Sequence, residues 1–315
     1  FFFKQKTAYE IRNCDWSSDV CSSDLNSLII PSVAVLGVLS KSKKNAVVVS
    51  RKIIVRDGLW LLLVEFVLIY FIQQGVISWV ESLVLIVLYG LYVLYLFKTM
   101  KGGHDINYEE PFTDKDRVSF LSAFMILDLK RMIIGNQKLN TKTAWLVFVI
   151  SSLIIGFVCY FLVLACEWLG SETYSVYGFG ELQGLGIPLL FVAIVFAAIG
   201  SSFPDTIISY KDAQKGNYDD AISNAYGSNI FNLCIALGVP LFLFTFLYGP
   251  IELTQEIVSL ITNLSLWFFG LTAFSIFLYT RLGGVTRKQA LILIATYVIF
   301  ILFIFWKAYN TAFIV

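Results

Sequence analysis

Histidine is almost missing from this chain, cysteine is scarce and charge is thin: 315 residues hold one His, five Cys and 14% Asp, Glu, Lys and Arg. So few imidazoles and thiols leave little room for a zinc site or a disulfide framework. A formal net charge of +1 gives no basic footprint for nucleic acid. Against these shortages stand 58% hydrophobic residues and a mean hydropathy of +0.77. Soluble domains carry roughly 45–50% apolar and about 25% charged residues. The excess falls in long blocks, which excludes a water-soluble enzyme and a disordered tail and points to a polytopic membrane protein.

Residues 1–25, FFFKQKTAYEIRNCDWSSDVCSSDL, share nothing with the rest of the chain. They are polar, open without Met, lack the basic-then-apolar layout of a signal peptide, and hold two of the cysteines, Cys14 and Cys21. The string resembles a translated sequencing-library adapter, so 1–25 is expected to be a non-native tail. The other 290 residues carry 20 basic and 18 acidic side chains.

Crossing the hydrocarbon core takes roughly 20 mainly apolar residues as a helix. Apolar blocks run at about 26–40, 58–73, 77–97, 143–167, 187–210, 221–247, 255–280 and 289–308, which predicts eight transmembrane helices. The first block is short, as a helix with its front removed would be. Basic loops alternate with loops that lack Lys and Arg. The connections 41–57, 98–142, 211–220 and 281–288 hold Lys and Arg, whereas 73–78, 168–186 and 248–256 hold none. The positive-inside rule then places the basic loops in the cytoplasm and the C-terminus on the opposite side, in an integral, multi-pass protein of a plasma or inner membrane. Within 98–142, Arg117–Lys138 mixes Phe120, Phe124, Leu127 and Met132 with basic residues and reads as an amphipathic helix on the inner leaflet. The acidic residues Asp105, Glu109, Glu110, Asp114 and Asp116 lack the glycine and terminal glutamate of a calcium-binding loop, and read as solvated.

Chemistry concentrates in two stretches, Gly200-Ser-Ser-Phe-Pro-Asp205 and Gly227-Ser-Asn-Ile-Phe-Asn232, on consecutive apolar blocks joined by a short turn at Lys211–Asp220. Ser201, Ser202, Asp205 and Ser209 recur at helical spacing and share one face; Asn224, Ser228 and Asn232 form a second stripe. Two such stripes on an antiparallel helix pair converge into one oxygen-lined pocket. An Asp inside a span costs about 2.5–3.5 kcal/mol and faces a partner or a watery cavity. No Lys or Arg lies inside another predicted span to neutralise Asp205, so a bound cation is the natural partner. Pro204 has no N–H, so the carbonyl of Gly200 loses its helical partner and is expected to be unwound beside the carboxylate. Carboxylate, hydroxyl and carbonyl oxygens without His or Cys suit Ca²⁺ and Na⁺ rather than Zn²⁺.

Gly200–Asp205 resembles the G-T-S-x-P-E/D signature of the sodium/calcium exchanger (cation/calcium antiporter) superfamily, and Gly227–Asn232 its G-S-N-x-F-D/N signature. Arg56-Asp57 before a span, the run from Trp79 through Glu81, and Leu185-Gly-Ile-Pro188 are similar to the potassium-dependent branch. The resemblance implies an all-α fold of ten helices, five plus five in inverted topology, of which this chain holds the last eight. It implies a first-repeat remainder at 26–97, a cytoplasmic loop at 98–142 and the second repeat at 143–315, with the first repeat's own carboxylate helix missing. The implied function is Na⁺ for Ca²⁺ exchange by alternating access, with both ions as cargo, the lipid bilayer as surroundings and no resident cofactor. The implied ligands are Asp205, Ser201, Ser202, Ser228, Asn232, the Gly200 carbonyl and Asn26, which sits where the first repeat's G-S-x-x-F-N motif ends. With half the site, the chain alone is expected not to transport.

Three departures stand out. Ser201 replaces Thr and keeps the hydroxyl. Asn232 stands where potassium-dependent members carry Asp, which puts potassium coupling in question. Glu65 is a second intramembrane carboxylate that the motifs do not use. A proton-coupled calcium antiporter is the alternative, and a cation channel a more distant one. An intramembrane protease needs paired aspartates or a Ser with a membrane His. His104 lies in a loop and no second Asp falls within a predicted span, so no enzymatic activity is expected.

Overall fold

The computed structural model describes residues 25–41, 46–99, 132–133, 140–176, 180–187, 192, 196, 198–281 and 285–312. The expectations for the tail up to residue 24, for the acidic loop residues, for His104 and for most of the amphipathic segment lie outside these residues. The chain divides into two compact units, one comprising 1–99 with 166–315 and the other 100–165.

The apolar blocks fold as helices, and the division of their side chains shows what surrounds them. On α2 (Arg51–Gln73), with α1 (Ile30–Lys41) before it, Asp57, Leu61, Glu65, Leu68 and Ile72 are buried. Leu59, Leu63, Phe66 and Tyr70 on the other face are exposed. Carboxylates inside and large apolar groups outside is the pattern of a helix whose outer solvent is hydrocarbon. The remaining helices are α3 (Trp79–Thr99), α4 (Thr141–Gly170), α5 (Ala198–Gln214), α6 (Tyr218–Phe231), α7 (Gly238–Tyr248), α8 (Gln255–Thr280) and α9 (Arg287–Ala312). π-Helical turns at Leu25–Ile29 and Asn232–Ala236 lead into α1 and join α6 to α7. Ser78 opens α3 with a cap: its N–H donates to Glu81 Oε2 at 2.8 Å, its hydroxyl donates to the same oxygen, and the Val80 amide donates to that hydroxyl at 3.2 Å.

Five stretches are long and apolar enough to cross a membrane unaided: α3, α4, the joined α6–α7, α8 and Arg287–Trp306 of α9. Of the other three predicted spans, α2 carries Arg51, Lys52, Arg56, Asp57 and Glu65, and the described parts of the first and fifth, Ser27–Ser40 and Ala198–Gln214, are shorter than a crossing needs. Helices that bury polar stripes are not apolar all round. The predicted boundaries also shift. Helix α2 begins at Arg51 rather than 58, and only residues 215–217 separate α5 from α6. The 168–186 loop holds a hairpin, β3 (Thr173–Val176) with β4 (Gly180–Gln183).

The first unit is built from helices of both halves of the sequence. Helix α2 packs on α8 and α6, α1 on α5 and α9, and α3 on α7. Short strand pairs tie the loops at each end. β1 (Ala46–Val47) pairs with β6 (Val285–Thr286), which joins two of the basic loops. β2 (Val76–Ile77) pairs with β5 (Ile251–Glu252), which joins two loops that lack basic residues. The Ser50 amide donates to Asp219 Oδ1 at 2.7 Å, bringing the third basic turn to the first end, and Arg287 donates to the Leu39 carbonyl there. For these five loops the alternation of charge along the sequence is thus a separation in space.

At that basic end a buried cluster locks α2 to α6 and α3. Arg56 grips Asp57 with two donors, at 2.6 and 2.9 Å. Ser223 donates to Asp57 Oδ2 at 2.6 Å, and the Tyr92 hydroxyl donates to Oδ1 at 3.4 Å. Asp57 is fully buried. Asp57 therefore lies within helix α2, near its N-terminal end, rather than in the loop before it. The apolar run starts only after Asp57, so composition alone puts it in a loop. Arg56 likewise lies within α2, although its partner is Asp57.

This packing sets two expectations. A Cβ at Gly37 of α1 would overlap the Tyr210 ring of α5, so Gly37→Leu is expected to destabilise by about 1–3 kcal/mol, read as a lowered melting midpoint in lipid micelles. Asp57→Ala strands the Arg56 guanidinium in a site that is only 14% exposed. It is expected to cost about 3–5 kcal/mol, several times the loss for Tyr92→Phe in the same assay.

Candidate cation site

Helix α5 turns two faces to two environments. Phe203, Pro204, Ile207 and Ile208 are exposed, whereas Ser202 and Ser209 are buried and Asp205 is half-buried. The polar face predicted from spacing therefore exists and points inward. It meets the second stripe on α6 in antiparallel register. Asn224 Nδ2 donates to Ser209 Oγ at 3.0 Å. One turn on, the Ser228 hydroxyl lies against the Asp205 carboxylate, and its one proton is shared between that carboxylate and the Ala225 carbonyl at 3.1 Å. As the rungs climb by four residues on α6 they descend by four on α5. Asn232 lies one further turn along α6, at its junction with the π-helical turn.

The helix pair carries two irregularities. Asn232 opens the π-helical turn Asn232–Ala236, and its carbonyl accepts from the Leu237 amide, five residues on, at 2.9 Å. Such one-turn widenings re-aim backbone carbonyls and recur at functional sites. On α5, Pro204 sits within a continuous helix, so the unwound stretch expected around Gly200 is not present. Pro204 still has no N–H to give the Gly200 carbonyl. The neighbouring carbonyl, that of Ser202, accepts a hydroxyl from Thr206 at 2.9 Å. The Ser202 hydroxyl is 1% exposed and has no hydrogen-bond partner among the described residues. A buried hydroxyl left in this state is costly unless something binds it.

The other predicted ligands are placed by their backbones. Ser201 lies in α5, one residue before Ser202. Asn26 lies in the turn Leu25–Ile29, and that turn packs against both α5 and α6. Ser27 beside it is fully buried. The described contacts bring one carboxylate, Asp205, beside the Ser228 hydroxyl, with the turn Leu25–Ile29 packed against both helices. Among the described residues no group of three His, Cys, Asp or Glu side chains converges as a metal site. The arrangement offers a single negative charge and hard oxygens, which is weak, exchangeable coordination rather than a tight metal cage.

Spacing alone does not reveal the role of the opposite face of α6. Ser223 and Tyr226 project away from Asp205, toward α2 and α8, where Ser223 meets Asp57 and the Tyr226 hydroxyl lies 3.0 Å from Ser275 Oγ. A serine and a tyrosine at i and i+3 are the available signal, but both types are common on buried helix faces. Gly227 of α6 faces the Tyr92 hydroxyl of α3, where a Cβ would stand 3.5 Å away in ordinary contact.

Comparison with known proteins agrees with this architecture. The sequence profile described as Sodium/calcium exchanger protein matches residues 20–98 and 143–306. The probable sodium/potassium/calcium exchanger CG1090 of Drosophila melanogaster is 31% identical over 156 residues, 49% of this chain and 23% of that protein. Sodium/potassium/calcium exchanger 4 of Homo sapiens is 29% identical over 158 residues, 47% of this chain and 24% of that protein. The chain thus matches about a quarter of the length of these relatives. The crystal structure of the H⁺/Ca²⁺ exchanger CAX shares the fold, with a TM-score of 0.51 and 16% identity over 95% of this chain and 74% of that one. With the profile covering most of the helical sequence on both sides of the central loop, the chain belongs to the sodium/calcium exchanger family.

Proposed function

We propose that the full-length protein is a secondary active antiporter that exchanges Na⁺ for Ca²⁺ across a membrane by alternating access. The observation that carries this reading is the rung between Asp205 and Ser228. A half-buried carboxylate, on a helix whose other face is apolar and exposed, is met by a hydroxyl instead of a cationic side chain. A carboxylate so placed gains more from a metal cation than from any residue around it. The exchanger names of the relatives support the choice of ions.

In this reading Asp205 supplies charge, while Ser201, Ser202 and Ser228 supply hydroxyl oxygens, Asn232 an amide oxygen and Gly200 a carbonyl. Asn26 would add a side-chain oxygen from the turn that packs against both helices. Na⁺ and Ca²⁺ are hard cations that compete for such oxygens, so loading one expels the other and the gradient of one drives the other. The end that gathers the basic loops faces the cytoplasm, in a plasma or inner membrane. The protein is a carrier, with no bond made or broken in its cargo and no resident cofactor.

The test is uptake of radiolabelled calcium into vesicles holding the full-length protein and loaded with Na⁺. Asp205→Asn is expected to lower sodium-driven uptake at least tenfold, the effect of roughly 1.4 kcal/mol or more of lost ion binding. Undiminished uptake in that variant removes the assignment. Ser228→Ala deletes a hydrogen bond to a charged group, worth about 1.5–3 kcal/mol. Its half-saturating calcium concentration is expected to move about tenfold, measured in the same vesicles. Uptake that ignores the sodium gradient would favour a channel.

A further inference from the structure

Glu65 is the carboxyl that the Asp205 site does not use. It lies two turns along α2 from Asp57, 5% exposed, on the face that also buries Leu61, Val64, Leu68 and Ile69. One oxygen, Oε1, accepts from the Thr272 hydroxyl of α8 at 2.9 Å. The other, Oε2, is buried and has no hydrogen-bond partner among the described residues.

The titratable groups around it can be named helix by helix. From α6 the group in range is the neutral phenol of Tyr226. On α2 itself, Asp57 is occupied by Arg56. From α3, Tyr92 bonds Asp57 rather than Glu65. Helix α8 presents Thr272 and Ser275, with Tyr279 further along beside Ser32. Among the described residues no Lys, Arg or His stands near enough to act on Glu65.

An ionised carboxylate here would have one hydrogen bond, one bare oxygen and no counter-charge, in a wall of leucine, valine and isoleucine. That is the situation in which a buried acid gives up its charge. Two ligands could remove it, a metal cation or a proton. A sodium or calcium ion needs about six oxygens, and this carboxyl has one hydroxyl neighbour already committed to Oε1. A proton needs none.

We propose that Glu65 is a proton-binding site of the membrane core, separate from the cation site at Asp205. Polar side chains lie between the basic end and the acid, although their contacts among the described residues do not join into one continuous proton wire. Asp57 bonds Ser223; Tyr226 sits one turn further along α6. The Tyr226 hydroxyl meets Ser275 Oγ at 3.0 Å. Ser275 in turn donates to the Thr272 carbonyl at 2.8 Å, and Thr272 donates to Glu65. In an antiporter of the kind proposed above, Glu65 adds H⁺ to the ions held between the helices; that extension alone rests on the transport reading.

A hydrophobic carbodiimide tests the protonation state directly. The carboxyl oxygen adds to the central carbon of the reagent and the acid's own proton passes to its nitrogen, so an ionised carboxylate does not enter the reaction. With the full-length protein in membranes, the expected result is an adduct on the peptide containing Glu65, absent from Glu65→Gln. A Glu65 peptide left unmodified while other intramembrane carboxyls react overturns the proposal. The companion measurement is the melting midpoint of Glu65→Gln. A neutral amide reproduces a neutral acid, including acceptance from Thr272, so the midpoint is expected to stay within about 4 °C of the parent. A larger fall means that the charged form was being held by a bound cation and also overturns the proposal. Neither readout involves transport, so this site and the Asp205 site can fail independently.

Discussion

Inside a bilayer a polar atom has no water to fall back on, and the first unit is organised around that constraint. Each described carboxylate in the helical core is answered from another helix: Asp57 by Ser223 and Tyr92, Glu65 by Thr272, Asp205 by Ser228. These contacts do more than satisfy single atoms. Apolar packing between helices is only weakly directional in lipid, because lipid tails compete for the same surfaces. The polar rungs therefore set register: α5 against α6 through Ser209–Asn224 and Asp205–Ser228, and α2 against α8 through Glu65–Thr272. Close approaches at Gly37 and Gly58 then let the backbones meet at those registers, with Tyr210 and Ile276 occupying the space a side chain would need.

The same constraint decides what the amino acids alone reveal. Long apolar blocks identify helices in any context, and the charge of short connections depends only on composition, so the eight helical stretches and the grouping of their loops were legible. The stripe Ser202–Asp205–Ser209 was legible because polar residues are rare enough in an apolar block for their spacing to mean something. Asp57 was not, because it lies at the border of its block, where a charged pair reads as loop. Only the tertiary contact with Ser223 draws it, with Arg56, into the helix. The unwound backbone expected at Pro204 is not there either: proline removes only its own N–H, and the described helix runs on through it from Ala198 to Gln214. The backbone irregularity of the site occurs instead on the partner helix, at Asn232, where no proline or glycine announces it.

Helix α6 joins these observations. Its 14 residues carry polar groups on two opposite faces: Asn224 and Ser228 toward α5, Ser223 and Tyr226 toward α2 and α8. A helix polar on both sides has no single apolar stripe, which is why its sequence looks ordinary by periodicity. The consequence is mechanical. The segment is short and regular between its N-terminal turn and the π-turn at Asn232, so its two faces move together. A displacement that draws Ser228 off Asp205 must also shift Ser223 against Asp57 and Tyr226 against Ser275. The polar stripe facing α5 and the buried acid cluster thus share one rigid segment, although among the described residues no hydrogen bond joins them, and the irregular element at its end is the π-turn, whose carbonyls are re-aimed relative to those of a regular helix.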